Sequence, residues 1–278
     1  MAITTADGIV NALGGAGTNR SKLRIDKASL TSVVLGQTFS LWRAGGLPAQ
    51  AAAPTAPEIP TKATLGAMDF INQTLPARSY FLRAELAGSQ SVITIEVGDR
   101  VAHMGGLNLS LVTSQLTTGM DLATLGLVAA RLGAANYSDI DWYLECYADG
   151  GATASNATIN VTYNDATTGN LNVVAVGGTL RAGRRIALNA LRPDFSKFIK
   201  GINSVILSAS TAAVGNFGFT AVNRLIDLDI PTAPKTEIKD WAQIMEPVPN
   251  DACLELAIIN GSSGGTGTLR GIIIIGHG

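Results

Sequence analysis

Between Ser138 and Val176 the chain alternates apolar and polar residues in three short stretches separated by small polar turns. Ile140, Trp142, Leu144 and Cys146 fall on one side; Asp139, Asp141, Tyr143, Glu145 and Tyr147 fall on the other. After Gly150-Gly151 the pattern resumes with Ile159, Val161 and Tyr163 against Thr158, Asn160 and Thr162. After Asp165-Ala166-Thr167-Thr168-Gly169 it resumes from Leu171. A period of two sends successive side chains to opposite faces of a strand, so the block predicts antiparallel sheet with one dry and one wet face.

The same texture runs on either side. Tyr80, Leu82, Ala84 and Leu86 alternate with Phe81, Arg83 and Glu85, followed by Ile93, Ile95 and Val97, and by Leu107, Leu109 and Leu111 after a Gly105-Gly106 turn. Strands resume at Val205-Ile206-Leu207, at Phe217 and Phe219, and at Ile226, Leu228 and Ile230. Leu254, Leu256 and Ile258, a glycine-rich loop and Ile272 to Ile275 read as a closing hairpin. Helix signals are few. Thr4 or Thr5 caps a short helix through Leu13, which Gly14-Gly15 stops. Gln37 to Ala44 reads as a second, and Asp121 to Leu132, with apolar residues at helical spacing, as the one sizeable helix. Gly14 to Asn19 reads as a flexible joint.

Pro48, Pro54, Pro57 and Pro60, set among alanines, exclude helix and central strand from that stretch. Residues 1–64 are therefore expected to be an extended N-terminal arm with short helices and a Pro/Ala-rich linker. Residues 65–278 are the body, with room for two β subdomains. The expected class is mainly β: an antiparallel β-sandwich or jelly-roll-like body, the arm, and few short helices.

Charged residues make up 15% of the 278 positions against 46% hydrophobic, well under the roughly one-quarter charged share of ordinary soluble domains. The surface must then be built from Thr, Ser, Asn, Gln, Gly and Ala, which suits a protein that ends in contact with many neighbours. A formal net charge of −1 gives no global attraction to nucleic acid or to an anionic membrane. Met1 to Asp7 lacks the basic and apolar regions of a secretory signal, so synthesis in a cytoplasm is expected. Cys146 and Cys253 are the two cysteines, read as buried free thiols more readily than as one disulfide.

Candidate chemistry is thin. Gly261-Ser262-Ser263-Gly264-Gly265 fits the G-x-S-x-G pattern, but a strand follows where the elbow needs a helix, and His277 lies downstream with no acid between. Gly265-Thr266-Gly267 lacks the helix N-terminus a phosphate cradle needs. His103 reads as a hydrogen-bonded structural residue, and Asp227 and Asp229 as solvated acids or a cation site at an interface. Asp139, Asp141 and Glu145 with Tyr143 and Tyr147 make either a sugar-binding face or the wet side of the sheet. Two basic stretches, Arg20 to Lys27 and Arg181 to Lys200, read as docking surfaces for an acidic protein, as contacts to nucleic acid, for which the interleaved aromatics are missing, or as solvated loops. Asn156-Ala-Thr158 and Asn160-Val-Thr162 match the glycosylation pattern, which here reflects only abundant Asn and Thr. No catalytic, cofactor-binding or metal residue is assigned, and no cofactor is expected.

Four stretches carry a family likeness: Ala2 to Leu13, Ser40-Leu-Trp-Arg-Ala-Gly45, Asp141 to Asp149 with Asn156 to Tyr163, and Gly215-Asn-Phe-Gly-Phe-Thr220. In these the chain resembles tailed-bacteriophage virion proteins of similar length among the head-associated components. It does not resemble the usual major capsid protein, having no long spine helix and no long charged extended loop. The resemblance implies a non-enzymatic cement or decoration protein that oligomerises on the capsid lattice, with the arm tying neighbours together. The expected partners are capsid or other virion proteins and further copies of the chain, a trimer being the guess, with neither nucleic acid nor membrane. The expected location is the virion. The alternative is a tail- or fibre-associated module that binds host-surface glycans, with Tyr143 and Tyr147 as its exposed aromatics.

Overall fold

The computed structural model of the protein describes residues 3, 5–14, 20–116, 119–178, 180–261 and 263–278. In chain order these form α1 (Ala6–Gly14), β1 (Arg20–Lys27), β2 (Thr31–Val33), β3 (Thr38–Ser40), β4 (Gly46–Leu47), β5 (Ser79–Gly88), β6 (Ile93–Leu107) and β7 (Gln115–Leu116). Next come α2 (Ala129–Leu132), β8 (Ile140–Ala148), β9 (Ser155–Tyr163), β10 (Thr168–Asn170), β11 (Val174–Val176) and β12 (Arg184–Ala187). The chain ends with β13 (Ile199–Leu207), β14 (Asn216–Ile230), β15 (Thr236–Asp240), α3 (Trp241–Ile244), β16 (Pro247–Val248), β17 (Leu254–Ile259), β18 (Gly264–Gly265) and β19 (Leu269–His277). The architecture is mainly β, with antiparallel sheets, a closed six-stranded barrel and few short helices.

The chain divides into two compact units. One holds Met1–Ala51, Thr61–Asp99 and Leu225–Gly278; the other holds Ala52–Pro60 and Arg100–Arg224. The first unit is organised by a sheet in the order β15-β5-β19-β1-β4. Alternation decides its faces: along β1, Leu23 and Ile25 are buried while Lys22 and Arg24 are exposed. Phe81, Ile273 and Ile275 are fully buried in its core, each contributing about 1.5–3 kcal/mol by leaving water. Helix α1 starts where Thr5 Oγ1 accepts the amide of Gly8 at 3.2 Å, and it seats Ile9 and Ala12 on Leu82. Gly276 permits that seat, because a Cβ there would meet Leu82 at 2.2 Å and Ala12 at 3.2 Å.

The second unit has its own core, built around Trp142, Leu144, Ile159, Val161, Phe217 and Phe219. One sheet runs β10-β9-β13-β7, and β8 lies between β12 and the first part of β14. On the β9–β13 sheet the side chains form a polar ladder. Asn160 donates to Asn170 Oδ1 at 2.8 Å, Asn203 donates to Asn160 Oδ1 at 2.8 Å, and Thr162 donates to Asn203 Oδ1 at 2.9 Å.

Several local expectations yield to tertiary context. Gln37 to Ala44 is not helical: Thr38, Phe39 and Ser40 pair with β17, and Leu41, Trp42 and Ala44 are all buried, leaving no polar stripe for a helix to expose. Asp121 to Leu132 is not one helix. The Asp121 carboxylate accepts the amides of Ala123 and Thr124, Gly126 turns left-handed at φ 79°, and Leu122 is bonded to the Lys200 carbonyl, so only α2 remains. Gly105 and Gly106 lie inside the long strand β6 rather than in a turn. The closing hairpin is not one either: β17 pairs β3 and β6, while β19 pairs β1 and β5. Thr4 and residues 15–19, where the joint was expected, lie outside the described residues.

Candidate functional site

The wet face expected on β8 is not wet. Its burial runs unbroken from Trp142 to Tyr147, with Glu145 at 0% exposure, Tyr147 at 2% and Tyr143 at 8%. β8 is covered on both sides, and the polar set turns inward onto Arg100 from β6 and Arg185 from β12. Arg100 Nη2 donates to Glu145 Oε1 at 2.8 Å and Oε2 at 2.7 Å. Arg185 donates to Oε2 through Nε at 3.2 Å and Nη2 at 3.1 Å, and its guanidinium also lies 5.2 Å over the Tyr143 ring. Thr220 on β14 donates to the same oxygen at 2.6 Å. That spends the threonine's one proton, so the 3.2 Å contact with Tyr147 has the phenol as donor.

The other terminal Arg100 nitrogen, Nη1, donates to His103 Nδ1 at 3.1 Å. An arginine only donates, so Nδ1 accepts and the proton sits on Nε2, which donates to Glu58 Oε1 at 2.7 Å. Burial, reinforced by Arg100, holds the His103 ring down at about 3, so the imidazole is neutral and its bond to Glu58 is charge-assisted from one side only. Burial alone would push the Glu145 carboxyl up. Arg100, Arg185 and the Thr220 hydroxyl more than offset it and hold it well below the usual carboxylate range. Burial pushes the Tyr147 phenol up, so it stays protonated as the donor role requires. Beneath, Arg131 from α2 donates to the Arg100 carbonyl at 3.1 Å, and Asn223 donates to the Arg131 carbonyl at 3.2 Å. Glu58, on the proline-rich segment, is the cluster's outward member, its side chain 57% exposed.

Chemically this is a closed electrostatic pin. Two guanidiniums and a carboxylate are buried together in fixed geometry, which fastens β6, β8, β12 and β14 to one another and, through His103 and Glu58, secures residues 52–60. Gly105 allows the fastening: a Cβ there would come within 2.5 Å of the Pro54 carbonyl oxygen. Sequence reasoning placed His103 as a structural residue and pointed to Glu145, but missed Arg100, Arg131, Thr220 and Glu58. The available signal was the cluster of Glu96, Asp99, Arg100 and His103 set among the apolar residues from Ile93 to Met104.

The other sequence candidates are dispersed. His277 is buried between Ser21 Oγ at 2.8 Å and Ser79 Oγ at 3.0 Å. Ser262 lies outside the described residues, and Ser263 is exposed on the loop leading into β18. Asp227 faces Lys239 at 3.8 Å and Asp229 accepts from Thr94 at 2.6 Å. Asp139 is exposed and accepts the amide of Ala134, while Asp141 faces Arg224 at 3.7 Å. Among the described residues no group of His, Cys, Asp or Glu gathers as a metal site. Both cysteines are buried free thiols, one in each unit.

The basic stretch Arg181 to Lys200 is spent internally. Arg181 faces Asp149 at 3.5 Å, Lys197 faces Asp165 at 2.8 Å and Lys200 faces Asp121 at 3.3 Å, while Arg185 belongs to the cluster. Arg192 lies over the rings of Phe195 and Phe198. In the other stretch, Lys27 is buried, donating to the Ala44 carbonyl at 3.0 Å and the Pro48 carbonyl at 2.7 Å. Burial brings its ammonium down to about 8. Lys22 and Arg24 remain exposed.

The fold and this site define a mainly-β protein with a buried charged cluster in its second unit. The chain matches no protein-family model and no curated protein sequence. Among solved structures it shows a weak likeness to the VP2 subviral particle of infectious bursal disease virus, at 12% identity over 94% of this chain and 82% of that one, with a TM-score of 0.17. T=1 particles derived from infectious bursal virus align at 11% identity over 92% of this chain and 77% of that one, also at 0.17. Superposition at that level is too poor to indicate a shared fold.

Proposed function

We propose that the chain is a non-enzymatic structural protein of a virion, a cement or decoration protein that stabilises a head shell through contacts with shell subunits and with further copies of itself. The observation that carries the reading is an inversion: the charged cluster around Glu145 is buried, while several large apolar side chains are left outside. Leu35 is 62% exposed, Leu116 70% and Phe195 65%, on a chain with few charges to surround them. The likeness of the four sequence stretches to tailed-phage head components supports the same reading. Many modest, weakly charged contacts, each repeated over a symmetric shell, sum to firm attachment.

The contact role given to residues 1–64 rests on their exposed apolar positions, Val10, Val34, Leu35 and Leu47. The rest of that segment is committed elsewhere, since Leu23 and Ile25 of β1 sit in the core of the first unit. The glycan-binding alternative required Tyr143 and Tyr147 on an open face. Both are buried, so it loses the residues that carried it.

The test is co-sedimentation of the purified protein with empty shells of the same virion. Saturable binding in a fixed ratio to shell subunits is expected. Absence of binding to shells at any concentration overturns the reading.

A further inference from the structure

The main sheet of the first unit ends, on each side, in a strand that can accept another. On one side β15, among the described residues, pairs only with β5, and its residues alternate between exposed and half-buried. On the other, β4 pairs with β1 at Asp26 and Lys27 alone, and among the described residues no strand pairs with Arg20 to Ile25 on that side. An open edge presents a row of backbone donors and acceptors, and it is either guarded or used.

The two edges complement each other. Every neighbouring pair in β15-β5-β19-β1 is antiparallel, so β15 and β1 run in opposite directions. A second copy continuing the sheet in the same orientation therefore brings its β15 antiparallel to β1. The existing registers place Lys22, Ile274, Arg83 and Asp240 in one row on the outer face, and Arg24, Ile272, Glu85 and Ile238 in the next. Asp240 already sits opposite Arg83 within the chain. With Lys22 set opposite Asp240 of the next copy, Arg24 falls opposite its Ile238, and each cation meets an acid or an apolar side chain rather than another cation. By contrast, pairing β1 with β1 about a two-fold axis centred on Leu23 would set Lys22 of each copy against Arg24 of the other. The Asp240 carboxylate is held in place by α3, donating no contact of its own but accepting the Ala242 amide at 3.1 Å, and Trp241, 41% exposed, stands beside it.

We propose that copies of this chain join head to tail, β1 of one against β15 of the next, as one continuous antiparallel sheet. The occupant of the β1 edge is thus a second copy of the chain. The contact is heterologous, so successive copies close a ring or extend a filament. This deepens the assembly reading above and rests on it only for the presence of a second copy.

Cysteine trapping tests it. Within one chain two strands separate β1 from β15, so Arg24 and Ile238 are about 14 Å apart at the strand spacing, beyond the roughly 4.4–6.8 Å between Cα atoms that a disulfide spans. A disulfide between Arg24→Cys and Ile238→Cys can therefore form only between copies. The native Cys146 and Cys253 are buried and do not compete. Under mild oxidation the full-length double variant should give a ladder of dimer and higher species on non-reducing gels, collapsing on reduction, while either single variant stays monomeric. Cross-linking by a single variant overturns the proposal in favour of a two-fold contact. No cross-link in a protein that light scattering shows to be oligomeric also overturns it, placing the contact elsewhere and leaving the assembly reading standing. A monomer that does not cross-link overturns it too, with Lys22 and Arg24 then serving to keep other strands off, and shell co-sedimentation judging the assembly reading separately.

Discussion

A single nitrogen of Arg100 reaches both carboxylate oxygens of Glu145, at 2.8 and 2.7 Å, with neither side chain exposed to water. The rest of the cluster is arranged around that contact, and its removal should show in stability. Glu145→Gln keeps the shape but removes the negative charge that Glu145 supplies to the guanidiniums of Arg100 and Arg185. A loss of about 3–5 kcal/mol is expected, read from the urea midpoint. An unchanged midpoint would mean that the ion pair does not hold the second unit together.

Acid should weaken the protein in two successive steps. His103 is held at about 3 in the fold against an ordinary 6.5, so between those values the unfolded chain takes up a proton that the folded chain refuses. Its contribution is complete above pH 6.5 and falls as pH is lowered, by on the order of 2 kcal/mol at pH 5. Glu145, whose folded value is depressed, adds a second loss in the same direction, starting near its ordinary 4.5 and continuing as pH falls further. Burial lowers His277 as well, which adds to the first step. Urea midpoints measured from pH 7.5 to 4 should fall monotonically, and His103→Gln should flatten the upper part of the curve.

Gly105→Ala places a methyl carbon 2.5 Å from the Pro54 carbonyl oxygen, nearer than such atoms approach. The segment must shift, at a cost of about 1–3 kcal/mol. Limited proteolysis should then cut within residues 52–60 faster than in the parent protein.

The thiols should be silent until the chain opens. Cys146 is buried, its thiol pushed up to about 12 by burial and the nearby Asp149, and it donates to the Ala148 carbonyl at 3.0 Å; Cys253 is buried too. Neither should react with a thiol reagent in native buffer, and both should react in denaturant. Rapid modification of the native protein would contradict the packing around them.

Strand identity was legible because alternation is local: Leu23, Ile25, Ile159 and Val161 each announce a face, and the structure buries each of them. What alternation cannot report is whether the polar face is wet. Asp139, just before β8, and Glu145, within it, look alike in the sequence, yet one is exposed and the other has no exposed surface, because Arg100, Arg185 and Thr220 from three other strands converge on Glu145. The cluster was illegible for the same reason. Glu145 meets Arg100 across 45 residues, and no spacing rule links them. Helix signals failed where core positions intervened: Leu122 has the spacing of a helical stripe but is held by the Lys200 carbonyl.

The Asn170–Asn160–Asn203–Thr162 ladder has a consequence for whatever rests against it. Each of the three amide oxygens already accepts a bond from its neighbour on the sheet. With one bond already made at each oxygen, these side chains have fewer acceptor sites left for an incoming partner and less to lose by being covered. Such a surface would discriminate poorly between partners yet resist none of them, serving as a bearing rather than a lock: a face on which a neighbour can settle and adjust before more selective contacts elsewhere fix its position.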